Sequence, residues 1–276
     1  MPSRIIAGRP VRTLLSIEGN IGIGKSTLLD NLRERFAESD PHVAFVPEPV
    51  DTWERHGLLQ AMYSGELGRC PFQLMALTTR FTAVLEALNN NPESTLIITE
   101  RSIFSDKACF AEVNLDRPAE RAAYQASYEA LRDALPKDIR TASVLLSAPM
   151  EVIRERIAKR NRAAEQGQPS DAPETASEDE AGSTSGGIPT AYLQQLEDAH
   201  LDFFNSLDEH ERRMVDATQP PFAVADDVFN AINELRCDEA YSEPVASPTQ
   251  ASPCHKKGRV GDTEGGQVLF AQNPEC

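Results

Sequence analysis

No stretch of this sequence approaches the roughly 18 consecutive apolar residues of a membrane span, so no membrane partner is expected. Positive charge is also in short supply. There are 27 Lys and Arg against 43 Asp and Glu, a formal net charge of −16. That balance argues against a general nucleic-acid binder, and no nucleic-acid partner is expected. Cysteine is sparse and unpaired in spacing: Cys70, Cys109, Cys237, Cys254 and Cys276. An odd, scattered set reads as free thiols in a reducing compartment rather than a disulfide framework. Residues 1–12 carry Arg4, Arg9 and Arg12 and no acid. They are faintly like a transit peptide, but too short ahead of the first strand. Residues 1–10 are therefore read as an N-terminal arm, and a cytoplasmic rather than mitochondrial location is expected. What remains is 40% hydrophobic and 25% charged over 276 residues, enough for one good core.

What the sequence does have is Gly19-Asn20-Ile21-Gly22-Ile23-Gly24-Lys25-Ser26-Thr27. Gly19 to Ser26 fits Gly-x-x-x-x-Gly-Lys-Ser, the P-loop pattern. The apolar run Val11–Ile17 before it reads as a buried strand. Leu28, Leu29, Leu32 and Phe36 after it have helical spacing. At such a strand-to-helix turn, backbone N–H groups can curl around a phosphate while the helix N-terminus adds positive partial charge. Lys25 would reach the terminal phosphates, and the Ser26 hydroxyl would help hold Mg²⁺. The motif calls for a nucleoside triphosphate without fixing a reaction.

Along the chain, apolar runs at 42–46, 95–99, 142–146 and 214–216 read as further strands. Helices are expected at 57–63, 71–88, 118–135, 149–162, 188–207 and 222–235. The alternation implies an α/β fold, a mostly parallel sheet of about five strands with helices on both faces. Ligands in such sheets bind beyond the carboxyl ends of strands, which groups Gly19, Glu48 and Glu100 in one crevice. Residues 166–187 are an acidic, Ser/Gly/Pro-rich insertion, and residues 238–276 a low-complexity tail. Neither has the apolar content to offset its ordering entropy, so both are expected to be disordered around a folded domain at 11–237.

Phosphate transfer to a hydroxyl needs a base, a metal site and cations for developing charge. Glu48, between Pro47 and Pro49, is the candidate base. Glu100 can bind Mg²⁺ directly or through water, and Arg101 can hold an acceptor oxygen or a phosphate. A loop acid and a surface ion pair are the bland alternatives. Arg154, Arg156, Lys159, Arg160 and Arg162 crowd one helix end. They read as a solvated face, or as the arginines of a lid over a triphosphate. Gln73, Ala76 and Arg80 share one face of the long helix. Gln can read a base edge bidentately. Trp53, Phe72, Phe104 and Phe110 are core residues or stacking platforms.

Seven pieces in order give a resemblance: residues 19–27, Glu48-Pro49-Val50-Asp51-Thr52-Trp53, Met62-Tyr63, Pro71-Phe72-Gln73, residues 100–106, Arg160-Asn161-Arg162 and residues 188–193. Together they resemble the deoxynucleoside kinase family, that of deoxycytidine kinase, deoxyguanosine kinase and the insect multisubstrate enzyme, over roughly residues 11–235. The resemblance implies a P-loop kinase with an arginine-bearing lid, ATP with Mg²⁺ as donor, a deoxyribonucleoside as acceptor, and a homodimer. It implies Glu48 as the base for the 5′-hydroxyl, with Arg101 on the same oxygen and Lys25 on the phosphates. Ser26 and Glu100 match the metal site, and Arg156, Arg160 and Arg162 the lid. Gln73 matches the base reader, with Phe72 and Phe110 sandwiching the base and Trp53 and Met62 beside the pocket. Tyr63 and Glu165 match the pair on the 3′-hydroxyl. The chain departs from the family pattern in carrying Ala164 before Glu165, where two acids are usual, and in the insertion itself. Residues 216–219 match the donor-adenine region only loosely.

Three pocket positions separate relatives that accept thymidine from those that do not. Here they are Ala76, Arg80 and Asp106. An Arg80–Asp106 ion pair would stand near thymine's 5-methyl, and Ala76 leaves room for a purine. Asp106 is free to accept from a base amino group or to orient Arg80. Deoxyadenosine, deoxyguanosine or deoxycytidine is therefore expected over thymidine. The alternatives are a thymidine-accepting or broad-specificity enzyme, another P-loop small-molecule kinase, a non-catalytic structural member, and a nucleotide switch.

Overall fold

The computed structural model describes the backbone of residues 5–6, 9–10, 12–160, 184–185 and 188–238. The N-terminal arm, the insertion and the tail read from the sequence, with Arg162 and Glu165, lie outside the described residues or nearly so. The chain divides into two units, Met1–Ser242 and Glu243–Cys276, and the second lies wholly outside.

Five strands make one sheet: β1 (Arg12–Glu18), β2 (Ala44–Val46), β3 (Leu96–Glu100), β4 (Ile139–Ser147) and β5 (Arg212–Asp216). Their order is β2-β3-β1-β4-β5 and every pairing is parallel. β1 is central, with Leu15 opposite Ile98 on one side and Ala142 on the other. Side chains alternate across the sheet, as the two-residue strand period requires. Leu15, Ile17, Ile98 and Val144 enter one core with Leu32, Phe36, Ile153, Ile157 and Val228. Leu14 and Ile97 enter another with Leu77, Phe81, Tyr124 and Tyr128. Two buried faces explain why the strands read as apolar runs rather than alternating ones.

The helices are α1 (Lys25–Ser39), α2 (Val50–Arg55), α3 (Leu58–Tyr63), α4 (Arg69–Asn90), α6 (Pro118–Ala134), α7 (Met150–Arg160), α8 (Thr190–Ser206) and α9 (Pro221–Asp238). Between α4 and α6 runs α5. It is α-helical over Ile103–Ser105, a π-helix over Asp106–Ala111, and α-helical again over Glu112–Asn114. Among these helices, α2 and α5 were not visible in the sequence. α4 starts two residues before the expected Pro71, with Gly68 as its cap, so Pro71 lies in the first turn where its missing N–H costs nothing. Because the five strands of this sheet run parallel, Glu18, Val46, Glu100, Ser147 and Asp216 end at the same edge. The site lies there.

Candidate active site

Two cavities open at the carboxyl edge and share Gly22, Lys25, Ser26, Glu100 and Arg160. The larger, about 540 Å³, is lined by residues 22–28 and by Leu146, Arg156, Lys159, Ala217, Gln219, Pro221 and Val224. Gly24 caps α1 without a side-chain hydrogen bond, at φ 110°, so the first N–H groups of α1 face this cavity. Gly22 is required twice over. Its φ is 79°, and a Cβ there would collide with Ile157 Cγ1. Asn20 pins the loop from behind, donating to Leu193 O at 2.8 Å and Glu197 Oε2 at 3.0 Å. Arg156 braces the loop from α7, donating to Ile23 O and Ala217 O, each at 2.7 Å.

Lys25 is buried and donates to Gly19 O at 3.1 Å and Asn20 O at 2.9 Å. Burial, with Arg101 nearby, lowers its pKa to about 7 against the pull of Glu100, Glu48 and Glu18. Ser26 Oγ donates to Glu100 Oε1 at 3.0 Å, joining the end of β3 to α1.

The smaller cavity, about 90 Å³, is lined by Glu48, Trp53, Met62, Tyr63, Phe72, Gln73, Ala76, Arg80, Arg101, Phe110 and Tyr192, among others. Gln73 is buried among these and makes no side-chain hydrogen bond to the described residues. Trp53 Nε1 donates to Thr79 Oγ1 at 3.1 Å, and its ring meets that of Phe72 edge-on at 5.5 Å. Arg80 lies between two carboxylates. One Nη donates to Asp106 Oδ1, the other to Glu48 Oε1, and the guanidinium lies 5.2 Å over the Trp53 ring. Arg101 Nε is 3.4 Å from the same Glu48 oxygen. Burial alone would raise the Glu48 pKa; Arg80, then Arg101 and Lys25, outweigh it and hold the carboxyl down to about 2.

Arg101 has φ 66°, the one positive value among described residues other than glycine. Such a conformation costs of order 1–3 kcal/mol and persists where surroundings over-determine it. Here the Arg101 N–H donates to Ile17 O at 3.0 Å, and its guanidinium stacks 4.5 Å over Phe110.

One sequence expectation is corrected. Asp106 is not free to accept from a base amino group. It is fully buried, does not line the cavity, and spends one oxygen on Arg80 and the other on Tyr124 Oη at 2.7 Å. The alternative role, orienting Arg80, matches the geometry. The sequence reading also missed the contact of Arg80 with Glu48. It missed Tyr124 and His200 as partners of Asp106 and Arg101, and Tyr192, whose Oη accepts from Asn114 at 3.0 Å. Only the Tyr192 segment carried a signal, lying within the matched stretch 188–193. Of the expected site residues, Arg162 and Glu165 lie outside the described residues, so nothing places them.

A family model described as deoxynucleoside kinase matches residues 15–175, more than half of the chain. A probable deoxycytidine kinase of fowlpox virus is 42% identical over 98 residues, 35% of this chain and 38% of that protein. A thymidine kinase of Ictalurid herpesvirus 1 is 30% identical over 237 residues, 84% of this chain and 89% of that one. Human deoxycytidine kinase is 30% identical over 182 residues, 56% and 68% of the two chains. The family match runs from β1 through the phosphate loop to α7 and takes in most of the lining of both cavities; Tyr192 and the residues 217–224 that line them lie beyond it. This chain belongs to the deoxynucleoside kinase family and is an enzyme that phosphorylates deoxynucleosides.

Proposed function

We propose that the enzyme transfers the terminal phosphate of ATP to the 5′-hydroxyl of deoxyadenosine, deoxyguanosine or deoxycytidine in preference to thymidine. The observation that carries this reading is the buried Arg80–Asp106 pair beside Ala76 and Gln73. Thymine would bring a methyl against a charge pair that it cannot satisfy. A buried polar group left unpaired costs about 1–3 kcal/mol, more when charged, which amounts to at least tenfold in selectivity. Asp106 supports Arg80 rather than touching the base, so the reader of the base edge is Gln73 with Arg80 beside it.

Phosphoryl transfer proceeds through a loose transition state in which positioning and charge do most of the catalysis. Glu48 accepts the 5′-hydroxyl proton as the new bond forms. Its low pKa makes it a weak base, which a late proton transfer tolerates. Arg101 holds the same oxygen, and Lys25 and Arg160, where the two cavities meet, neutralise charge on the transferred group. Phe72 and Phe110 flank the base, and Tyr63 faces the sugar. Ser26 and Glu100 present two hard oxygen donors side by side at that junction, a set that fits Mg²⁺, which keeps few protein ligands. Bound there with the nucleotide, the ion would neutralise phosphate charge.

A second reading is thymidine acceptance, favoured by the herpesvirus relative whose name is thymidine kinase and which aligns over 84% of this chain. A panel of the four deoxynucleosides with labelled ATP separates the two. The expected outcome is a kcat/KM for at least one of the first three that is tenfold or more above thymidine. The triple change Ala76→Val, Arg80→Met, Asp106→Ala should then admit thymidine, and Glu48 would keep Arg101 as partner. A wild-type preference for thymidine overturns the pocket assignment.

A further inference from the structure

His200 is a buried titratable side chain that the mechanism above does not use. It stands on α8, 99 residues from Arg101 in sequence, and is 1% exposed. Its two ring nitrogens are both engaged. Nε2 lies 3.0 Å from Arg101 Nη1, and Nδ1 lies 2.6 Å from Leu196 O. A guanidinium only donates and a carbonyl only accepts. One form of imidazole satisfies both, the neutral ring with its proton on Nδ1 and a bare Nε2. Burial, and then the charge of Arg101, lowers the His200 pKa to about 3, which keeps the ring neutral. The ring also meets Phe110 edge-on at 5.7 Å, and Phe110 is the face on which the Arg101 guanidinium stacks. Arg101 is thus held in its plane by His200, from one face by Phe110, and at Nε by Glu48.

We propose that His200 is a positioning residue for the phosphoryl transfer: its bare Nε2 fixes the Arg101 guanidinium in the orientation that meets the acceptor oxygen. The choice of residue has a chemical reason. A carboxylate at this position would hold Arg101 as well, but would neutralise the charge that the reaction uses. A hydrocarbon would leave a buried N–H without an acceptor. A neutral histidine orients the cation and leaves its charge available. The inference rests on the assignment of Arg101 to the acceptor oxygen in the proposed function.

The test compares full-length wild type, His200→Ala, His200→Gln, Arg101→Ala and the His200→Ala/Arg101→Ala double variant, with kcat and both KM values measured for each. His200→Ala should lower kcat at least tenfold and change KM for ATP less than twofold. His200→Gln, whose Oε1 can accept from Arg101, should recover at least a third of wild-type kcat. The double variant should be no slower than Arg101→Ala, because His200 acts through Arg101. A folded His200→Ala enzyme with full turnover beside a slow Arg101→Ala overturns this inference alone. So do additive losses in the double variant, or a glutamine variant no better than alanine. An Arg101→Ala enzyme with full turnover overturns the Arg101 assignment and this inference together. If the alanine variant does not fold, ¹⁵N-histidine NMR of the wild type decides. A neutral Nδ1–H ring at His200 across about pH 5–9 supports the proposal, and a protonated or Nε2–H ring overturns it.

Discussion

At the residue scale, three cations and several carboxylates share one small buried volume, where the cations lower the pKa of Glu48 and burial lowers that of Lys25. Removing one partner of a buried pair leaves an uncompensated charge, so substitutions here act through neighbours as much as directly. Glu48→Gln should lower kcat at least ~10²-fold, the usual scale for loss of a general base, with little change in nucleoside KM. A variant that keeps half its turnover would refute the role. Because Arg80 and Arg101 hold the Glu48 pKa near 2, kcat/KM should show no acid limb from this group at ordinary assay pH. Lys25 is shifted in the same direction, but toward its neutral form. Its pKa falls from 10.5 in a solvated lysine to about 7 here. Between those values the unfolded chain binds a proton that the native state does not, so this group makes stability rise with pH across about 7 to 10.5. An arriving polyphosphate restores the charge. Binding of ATP near pH 8–9 should therefore take up a proton, read by calorimetry in two buffers of different ionisation enthalpy. Lys25→Met should abolish the uptake.

At the element scale, the phosphate loop and α7 are packed as one piece, with Gly22 against Ile157 and Arg156 on the carbonyl of Ile23. Gly22→Ala meets both backbone strain and the Ile157 side chain. Gly24→Ala, at φ 110° with open space around its Cβ, meets strain alone. Gly22→Ala should be the more destabilising by about 1–3 kcal/mol, the cost of overpacking, in ligand-free urea unfolding. Adding Ile157→Ala should return part of that difference. The same elements mark what a sequence can carry. The five strands and most helices were legible because long apolar periods and Pro or Gly boundaries report backbone directly. α2 was not, since only Val50 and Trp53 of its six residues are apolar, whereas α3, of the same length, carries Leu58, Leu59, Ala61 and Met62. α5 was not, because a π-helix breaks the 3.6-residue spacing. Its wider turn buries Ala111 along with Asp106, Cys109 and Phe110, although Asp106 and Ala111, five apart, would point about 140° from each other on an α-helix. In the site, Lys25, Ser26, Glu48, Glu100, Arg101 and the cavity wall were readable from motifs. The contacts Arg80–Glu48 and Arg101–His200 were not. They depend on where separate elements dock, and residue type gives no hint of that.

At the scale of the whole molecule, the chain carries a net charge of −16 and yet must bind a polyanion. In the proposed function Lys25 and Arg160, at the junction of the two cavities, do the binding, while the long-range field opposes the approach. The insertion adds to that field. Asp171, Glu174, Glu178, Asp179 and Glu180 lie in it, with no Lys, Arg or His between 166 and 187. It follows the basic end of α7, where Lys159 and Arg160 line the larger cavity. Its composition, rich in Ser, Gly and Pro, gives it little to contribute to a core. Replacement of residues 166–187 by a short Gly-Ser linker should leave the melting temperature and kcat within experimental spread and twofold, respectively. KM for ATP should fall at low ionic strength, because the chain then carries five fewer negative charges. The difference should close near 0.15 M salt, where the screening length is about 8 Å. A loss of folding would assign the insertion a structural part, and a KM difference indifferent to salt would mean that it touches the nucleotide rather than its field.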